Sequence, residues 1–332
     1  TLGGAIAADV HGKNHHAEGS FGQHVKSLRL LGPDGHAKTV SPRDKTLFRA
    51  TMGGMGLTGV IESARIQLVP CPQRLVDVTE RRIPDLETYI EAYETSDASY
   101  SVGWIDATAQ GGKLGRGILE EAEVTTRDAA FVHPRRKPRP IPITAPGFAL
   151  ASPVVRLFNE LYYRRIPSAG RRRSRPLAAF FHPLDQLLGW NKLYGKAGFH
   201  QFQCVVPPED AAEVLGEMLR EIAQSGLAAP LAVLKKMGDG RAGKMSFPME
   251  GYTLAVDFPN RDRAAPLIRR LIDRTADAGG RIYLAKDSLA EPRHIEKMYP
   301  ELDAFRAALH EADPEGVFET DLARRLNLRG AA

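Results

Sequence analysis

Between residues 201 and 285 the sequence switches repeatedly between two hydrophobic periods, and the order of the switches admits few architectures. Residues 201–206 read as a strand, and residues 209–224 as a helix with Val214, Leu215, Met218, Leu219 and Ile222 on one face. Two more strands follow at 232–236 and 252–258, then a helix at 263–278 stopped by Gly279-Gly280, then a strand at 281–285. The succession βαββαβ is the ferredoxin-like plan, built on an antiparallel sheet, so an α+β fold is expected. Upstream, strand signals at 75–79, 100–106 and 117–124 and a helix at 84–94 supply elements that would widen the same sheet. Helices are expected at 291–311 and 320–326.

The first sixteen residues follow no such period. Paired glycines and small residues (Gly3-Gly-Ala-Ile-Ala-Ala8) precede a polar end (Asp9-Val-His-Gly-Lys-Asn-His-His16). Backbone of this kind approaches a flat ligand closely, because glycine and alanine put no side chain in the way. Asp9, His11, Lys13 and Asn14 are then placed to hydrogen-bond the ligand's edge. On spacing alone, a glycine-rich turn followed by a solvated loop fits equally well. Residues 24–31 and 37–40 flank a Gly-Pro-Asp-Gly turn as a hairpin, a short helical turn is expected at 47–50, and residues 60–69 read as a strand. Gly54, Gly56 and Gly59 match the spacing of a dinucleotide fingerprint. The strand comes after them and not before, so a Rossmann site is rejected.

Composition narrows the function classes. The chain has 332 residues, enough for two domains, with 43% hydrophobic and 26% charged residues as in globular proteins. Its formal charge of +5 is concentrated, because residues 135–175 hold eleven Lys or Arg against one acid, Glu160. That is a local basic surface without a nucleic-acid-reading motif, so no nucleic-acid partner is expected. Five prolines between 134 and 146 oppose regular structure, a helix fits 154–163, and residues 127–180 are expected as an excursion over the surface. Residues 134–176 are expected to form a mobile basic face, turned either to a membrane or to plain solvent. Cys71 and Cys204 are isolated, which argues for free thiols and against a zinc site or disulfide framework. The cluster His11, His15 and His16 lacks a carboxylate or cysteine at ligand spacing, so no metal is expected. No apolar run reaches the length of about 18 residues that a spanning helix needs.

Three stretches carry a resemblance. Residues 3–16, residues 50–59 (Ala-Thr-Met-Gly-Gly-Met-Gly-Leu-Thr-Gly) and residues 282–288 (Ile-Tyr-Leu-Ala-Lys-Asp-Ser) are similar to the decaprenylphosphoryl-β-D-ribose oxidases, and the similarity runs over nearly the whole chain. These are vanillyl-alcohol-oxidase-like FAD-linked enzymes, the oxidising half of the epimerase that makes the arabinose donor for cell-wall arabinan. The resemblance implies the C-terminal portion of a two-domain oxidase. Residues 1–72 would be the second half of the flavin domain, 73–290 a substrate domain, and 291–332 helices returning to the flavin domain. It implies non-covalent FAD held by Thr1, Leu2, Gly3, Gly4, Ala8, Asp9, Val10, His11, Ile61 and Tyr283, with the 53–59 glycine cluster against the flavin. Lys286, His11 and Tyr283 would be catalytic, and Lys286, Lys235, Gln201, Gln203, Tyr194 and Trp104 would line a sugar-phosphate pocket. By residue type alone, Lys286 equally suits a solvated lysine beside Asp287, and Trp104 plain core.

Oxidising an alcohol requires a group to take the hydroxyl proton and positive charge to stabilise the reduced flavin, and Lys286 is the leading candidate for both tasks. The implied reaction converts the ribose 2-hydroxyl of a polyprenyl-phosphoryl ribose to a keto sugar, which an NAD(P)H-dependent reductase would consume. Alternatives are an aldonolactone or sugar-alcohol oxidase, or a flavin-free fragment. The expected location is cytoplasmic or peripheral at the inner membrane, with the periplasmic face left open. Two positions depart from the family: where it carries an asparagine and a cysteine, this chain has Thr253 and Ala255, while Asp257 is kept. The family's glycine- and arginine-rich pyrophosphate loop has no match in residues 1–332, so the chain is expected to be a piece of a longer protein.

Overall fold

The computed structural model describes residues 1–71, 74–125, 138–227 and 230–330. Where an open glycine turn was expected, the chain opens with a short helix, α1 (Leu2–Ala7), capped by Thr1 Oγ1, which accepts from Gly4 N–H at 3.1 Å. Next come α2 (His15–Glu18), the hairpin β1 (Val25–Leu31) and β2 (Ala37–Val40), α3 (Lys45–Thr51) with Asp44 as its cap, and β3 (Val60–Ile66). The strands form an antiparallel sheet in the order β2-β1-β3, and its core joins Ile6, Leu28, Leu30, Val40 and Phe48. The expected hairpin, helical turn and following strand are all present.

The glycine cluster has an internal explanation. A Cβ on Gly54 would lie 1.9 Å from the Ala50 carbonyl oxygen, and one on Gly53 would lie 2.9 Å from the Ser246 nitrogen. Close packing against α3 and the segment before Gly251 therefore requires glycine at both positions.

The second sheet has eight strands. Its elements in chain order are β4 (Leu75–Ile83), α4 (Leu86–Glu94), β5 (Tyr100–Ile105) and β6 (Gly117–Val124). The excursion then holds β7 (Arg139–Pro140), α5 (Ser152–Arg164), β8 (Arg171–Pro176), α6 (Leu177–Phe181) and β9 (Leu187–Leu188). After it come β10 (Phe199–Val206), α7 (Ala211–Ser225), β11 (Ala232–Met237), β12 (Gly251–Pro259), α8 (Ala264–Asp277) and β13 (Arg281–Ile282). Spatial order is β13-β10-β12-β11-β5-β6-β4-β8, while β7 and β9 pair briefly in parallel. The first four strands are the fourth, first, third and second of the βαββαβ unit, the ferredoxin-like arrangement, and β5, β6 and β4 widen it as expected.

Three expectations are corrected. The last strand ends at Ile282 instead of 285; Tyr283 N–H still bonds the Gln203 carbonyl, after which Leu284–Lys286 form a single 3-10 turn. Residues 171–176 are not a loose basic face but the edge strand β8, because Arg171 and Arg173 reach the buried Glu80 and Arg175 reaches Glu120. The basic residues 135–137 lie outside the described residues. The helix expected at 291–311 is two, α9 (Pro292–Met298) and α10 (Leu302–Ala312), interrupted at Pro300, which disfavours helix in the residue before it. The last helix, α11 (Asp321–Leu326), follows, and α10 packs on α3, with Glu301 accepting from Arg49 at 2.9 Å.

Alternation along the strands gives the large sheet two unlike faces. One carries Phe202, Cys204, Leu234, Leu254, Val256 and Phe258 against α4, α7 and α8, and this is the main core. The opposite face is polar. There the register sets Gln203 opposite Ala255, Gln201 opposite Asp257, Lys235 opposite Thr253, and Val233 opposite Trp104.

Candidate active site

His11 is the meeting point of this polar face and the opening segment. It follows α1, forms a bridge with Ser20, and presents its ring to the strands. Lys235 Nζ lies 2.8 Å from His11 Nδ1, and Gln203 Nε2 lies 3.0 Å from His11 Nε2 while donating to Thr253 Oγ1 at 2.9 Å. Phe247 and Tyr283 stack with centroids 4.7 Å apart, and their rings lie 5.6 and 5.5 Å from that of His11.

The charges here are depressed by one cause. Burial holds the His11 imidazole well below its usual pKa, and the amines of Lys235 and Lys286 push it further. Burial, helped by Lys286 and Lys13, brings the Lys235 amine down to about 7. The Lys286 amine is lowered by burial as well, with the Asp257 carboxylate opposing the shift. Asp257 itself is raised by burial, against hydrogen bonds from Tyr194, whose hydroxyl donates at 2.5 Å, and from Gln201.

Two proton arrangements satisfy the Lys235–His11–Gln203 trio. With Lys235 as a neutral amine, His11 donates Nδ1–H to it and accepts at Nε2 from the Gln203 amide. With Lys235 as ammonium, Nδ1 must accept, Nε2 carries the proton, and Gln203 has to turn its oxygen toward His11. A Lys235 pKa of about 7 brings both within reach at neutral pH. The proton on Lys235 is therefore coupled to which end of the Gln203 amide faces outward. In the first arrangement that end is Gln203 Oε1, which is buried and has no hydrogen-bond partner among the described residues.

Several expected ligand contacts have other partners. The Asp9 carboxylate was expected to reach a ligand, but it is fully buried and accepts from Ser20 Oγ at 2.8 Å, Gly22 N–H at 2.8 Å, Ala242 N–H at 3.1 Å and the Ser246 hydroxyl. It clasps α1 to two other segments. Lys13 donates to the Phe180 carbonyl at 2.6 Å and lies 3.7 Å over the Phe180 ring, tying the opening segment to the excursion. Trp104 shares the polar face, but its indole N–H is taken by the Pro230 carbonyl at 2.8 Å and its ring is covered by Tyr162 at 4.7 Å. Thr1, Leu2 and Gly4 are exposed, Ala8 and Val10 half-buried, and Gly3 lies against Ile61. Gln201, Gln203, Lys235, Tyr194, Tyr283 and Lys286 converge around the β10–β12–β11 end. Phe247 and His15 also lie against the His11 ring, with centroids 5.6 and 6.4 Å from it; Phe247 lies in an irregular segment with no period to reveal it.

A buried polar face that carries two amines and an amide oxygen without a partner among the described residues, beside stacked aromatic rings, fits the edge of a flavin ring and an oxygen-rich substrate. Comparison with known proteins agrees. The D-arabinono-1,4-lactone oxidase family profile matches residues 268–326, which run from α8 through the Lys286 turn to α11. The chain is 36% identical to decaprenylphosphoryl-beta-D-ribose oxidase of Mycolicibacterium smegmatis, over 99% of this chain and 74% of that protein. It is 35% identical to an uncharacterized protein in the mprA 5′ region of Streptomyces coelicolor, over 99% of this chain and 93% of that one. The chain belongs to the decaprenylphosphoryl-beta-D-ribose oxidase family of FAD-dependent oxidoreductases.

Proposed function

We propose that this protein oxidises the ribose 2-hydroxyl of a polyprenyl-phosphoryl ribose to the keto sugar, in a reaction that an NAD(P)H-dependent reductase completes as an epimerisation. The observation that carries the reading is the pair of buried amines, Lys235 and Lys286, on either side of the polar sheet face that His11 closes. A bound FAD, non-covalent in this reading, supplies the acceptor for the carbinol hydrogen and its two electrons. Gly3, Ile61, His11 and Tyr283 would hold its ring. Lys235, with a pKa of about 7, is the amine matched to taking the hydroxyl proton at neutral pH. Lys286, whose charge Asp257 supports, supplies positive charge where negative charge develops. Gln201 and Gln203 offer amides to the sugar hydroxyls, and Tyr194 holds Asp257 in place.

A second reading, oxidation of a free aldonolactone, is favoured by the lactone-oxidase profile over residues 268–326. Anaerobic mixing of the flavin-loaded protein with each substrate separates the two. Bleaching of the visible flavin band by polyprenyl-phosphoryl ribose and not by free lactone supports the first, and the reverse result overturns it. A preparation of the complete protein that takes up no flavin refutes both and leaves a flavin-free binding domain.

A further inference from the structure

A groove of about 440 Å³ opens past the end of β12, between residues 144–150 of the excursion, residues 193–198 and residues 259–261. Backbone bonds tie these segments together: Ala145 N–H donates to the Lys192 carbonyl at 2.9 Å, and Asn260 N–H to the Gly198 carbonyl at 3.0 Å. The Arg261 guanidinium donates to the Gly147 and Leu150 carbonyls at 3.2 and 3.1 Å. The groove is therefore built into the fold, and its volume falls in the range of about 300–1,000 Å³ that small-molecule sites occupy. Its surface is mostly aliphatic, from Ala145, Pro146, Leu150, Leu193, Ala197 and Pro259, and its two charged members, Lys196 and Arg261, are both cations.

One wall also belongs to the active site. Tyr194 lines the groove and is stacked on Phe199 at 4.1 Å, while its hydroxyl donates to Asp257 Oδ2 at 2.5 Å. Asp257 lies opposite Gln201 on the polar face. The groove thus begins one tyrosine side chain away from that face. In the substrate proposed above, the phosphodiester is on the anomeric carbon, next to the carbon that is oxidised, so the prenyl chain must leave the polar face within a few bonds of the reacting centre. An alkyl chain leaving a polar site gains from an apolar track at its edge, and the phosphodiester gains from cations there and not carboxylates. A larger cavity of about 540 Å³, between the β1–β2 turn and residues 311–317, fails on both counts: Asp34, Glu311 and Glu315 line it, and it shares no residue with the polar face. We infer, resting on the oxidase reading above, that the groove beside Tyr194 receives the first isoprene units of the substrate's lipid chain.

The test uses ribosyl phosphodiesters that differ only in the esterified alcohol: methyl, prenyl and geranyl. With the complete, flavin-loaded protein, the concentration dependence of anaerobic flavin reduction gives a dissociation constant and a limiting rate for each. Affinity should rise about tenfold or more from methyl to geranyl, while the limiting rate stays within about twofold. Leu193→Asp puts a carboxylate in the groove wall and Ala197→Trp fills the groove, both at exposed positions. In each variant the gain from methyl to geranyl should shrink about tenfold, and because that gain is a ratio within one protein, general damage to the site cancels. Val317→Asp, at an exposed residue of the other cavity, should keep the full gain. A parent that binds methyl and geranyl esters alike, or groove variants that keep the parent's full gain, would overturn the inference, and bleaching of the flavin by the same esters would leave the oxidase reading standing. Failure of every ester to bleach the flavin would refute that reading and the inference with it.

Discussion

The polar face of the large sheet is divided into two halves that treat buried charge in opposite ways. On the β5-β6-β4-β8 half, buried carboxylates meet guanidinium groups: Glu80 accepts from Arg171 at 2.8 Å and pairs with Arg173, and Asp106, at the end of β5, accepts from Arg116 at 2.8 Å. On the β10-β12-β11 half, Lys235 and Lys286 approach each other and His11 without a carboxylate in hydrogen-bonding contact among the described residues. The first half is closed and roofed by α5. In the second, burial presses the amines toward their neutral forms and the Asp257 carboxylate supports the charge of Lys286 without a hydrogen bond to it, and depressed amines in such a setting mark function where matched ion pairs mark structure.

Breaking the closed half should have the largest effect. Asp106 accepts from Arg116, from Asn159 and from both the hydroxyl and the backbone N–H of Thr108, so Asp106→Ala leaves these buried donors without that acceptor. Stripping one partner from a buried pair costs about 3–5 kcal/mol, and Glu160 still meets Arg116, which favours the lower figure. Urea unfolding should show this loss, while the folded fraction retains its rate of flavin reduction. A loss below about 1 kcal/mol would mean that the network does not hold the roof down.

The open half should respond the other way round. Lys286→Ala removes an amine that burial disfavours, so its effect on folding should stay within about 0.5 kcal/mol. Substrate-driven flavin reduction should slow about 100-fold or more, as expected on losing a charged group at the reacting centre. A rate within about twofold of the parent would take Lys286 out of the chemistry.

The contrast between the halves also explains what could be read from the sequence. The βαββαβ unit was legible because its apolar residues keep clean periods on both helices, and the face that carries Gln201, Gln203 and Lys235 follows from strand alternation. Strand β8 is not legible in the sequence although Arg171, Arg173 and Arg175 alternate by twos, because the alternation is of charge and its partners, Glu80 and Glu120, lie far back in the chain. Helix α5 was located correctly, but its apolar stripe of Val154, Leu157, Phe158 and Leu161 reads as core; only the contacts of Asn159 with Asp106 and of Glu160 with Arg116 reveal that it faces out. The use of Asp9 as a clasp is equally non-local, since its donors come from residues 20–22 and 242–246. The break at Pro300 needed no tertiary information at all.

The smallest effect bears most directly on the open half. Lys235 has a pKa of about 7 when folded and, like any solvated lysine, about 10.4 when unfolded. Between these values the unfolded chain binds the extra proton, so stability should rise with pH, by up to about 1.4 kcal/mol per unit from this group. Below about pH 7 both states are protonated at Lys235 and its penalty is constant. Lys13, lowered by burial to about 8, contributes a rise of its own, so the informative quantity is a difference between proteins. In Lys235→Met the methionine fills much of the same volume and cannot titrate. Unfolding curves at pH 6, 7, 8 and 9 should therefore show the parent gaining on Lys235→Met steadily above about pH 7, whatever offset the lost His11 contact introduces. The pH dependence of flavin reduction should lose its inflection near 7 in the same variant. Parallel stability curves across that range would show that the Lys235 amine is paired and ordinary, and the two halves of the face would then differ in shape alone.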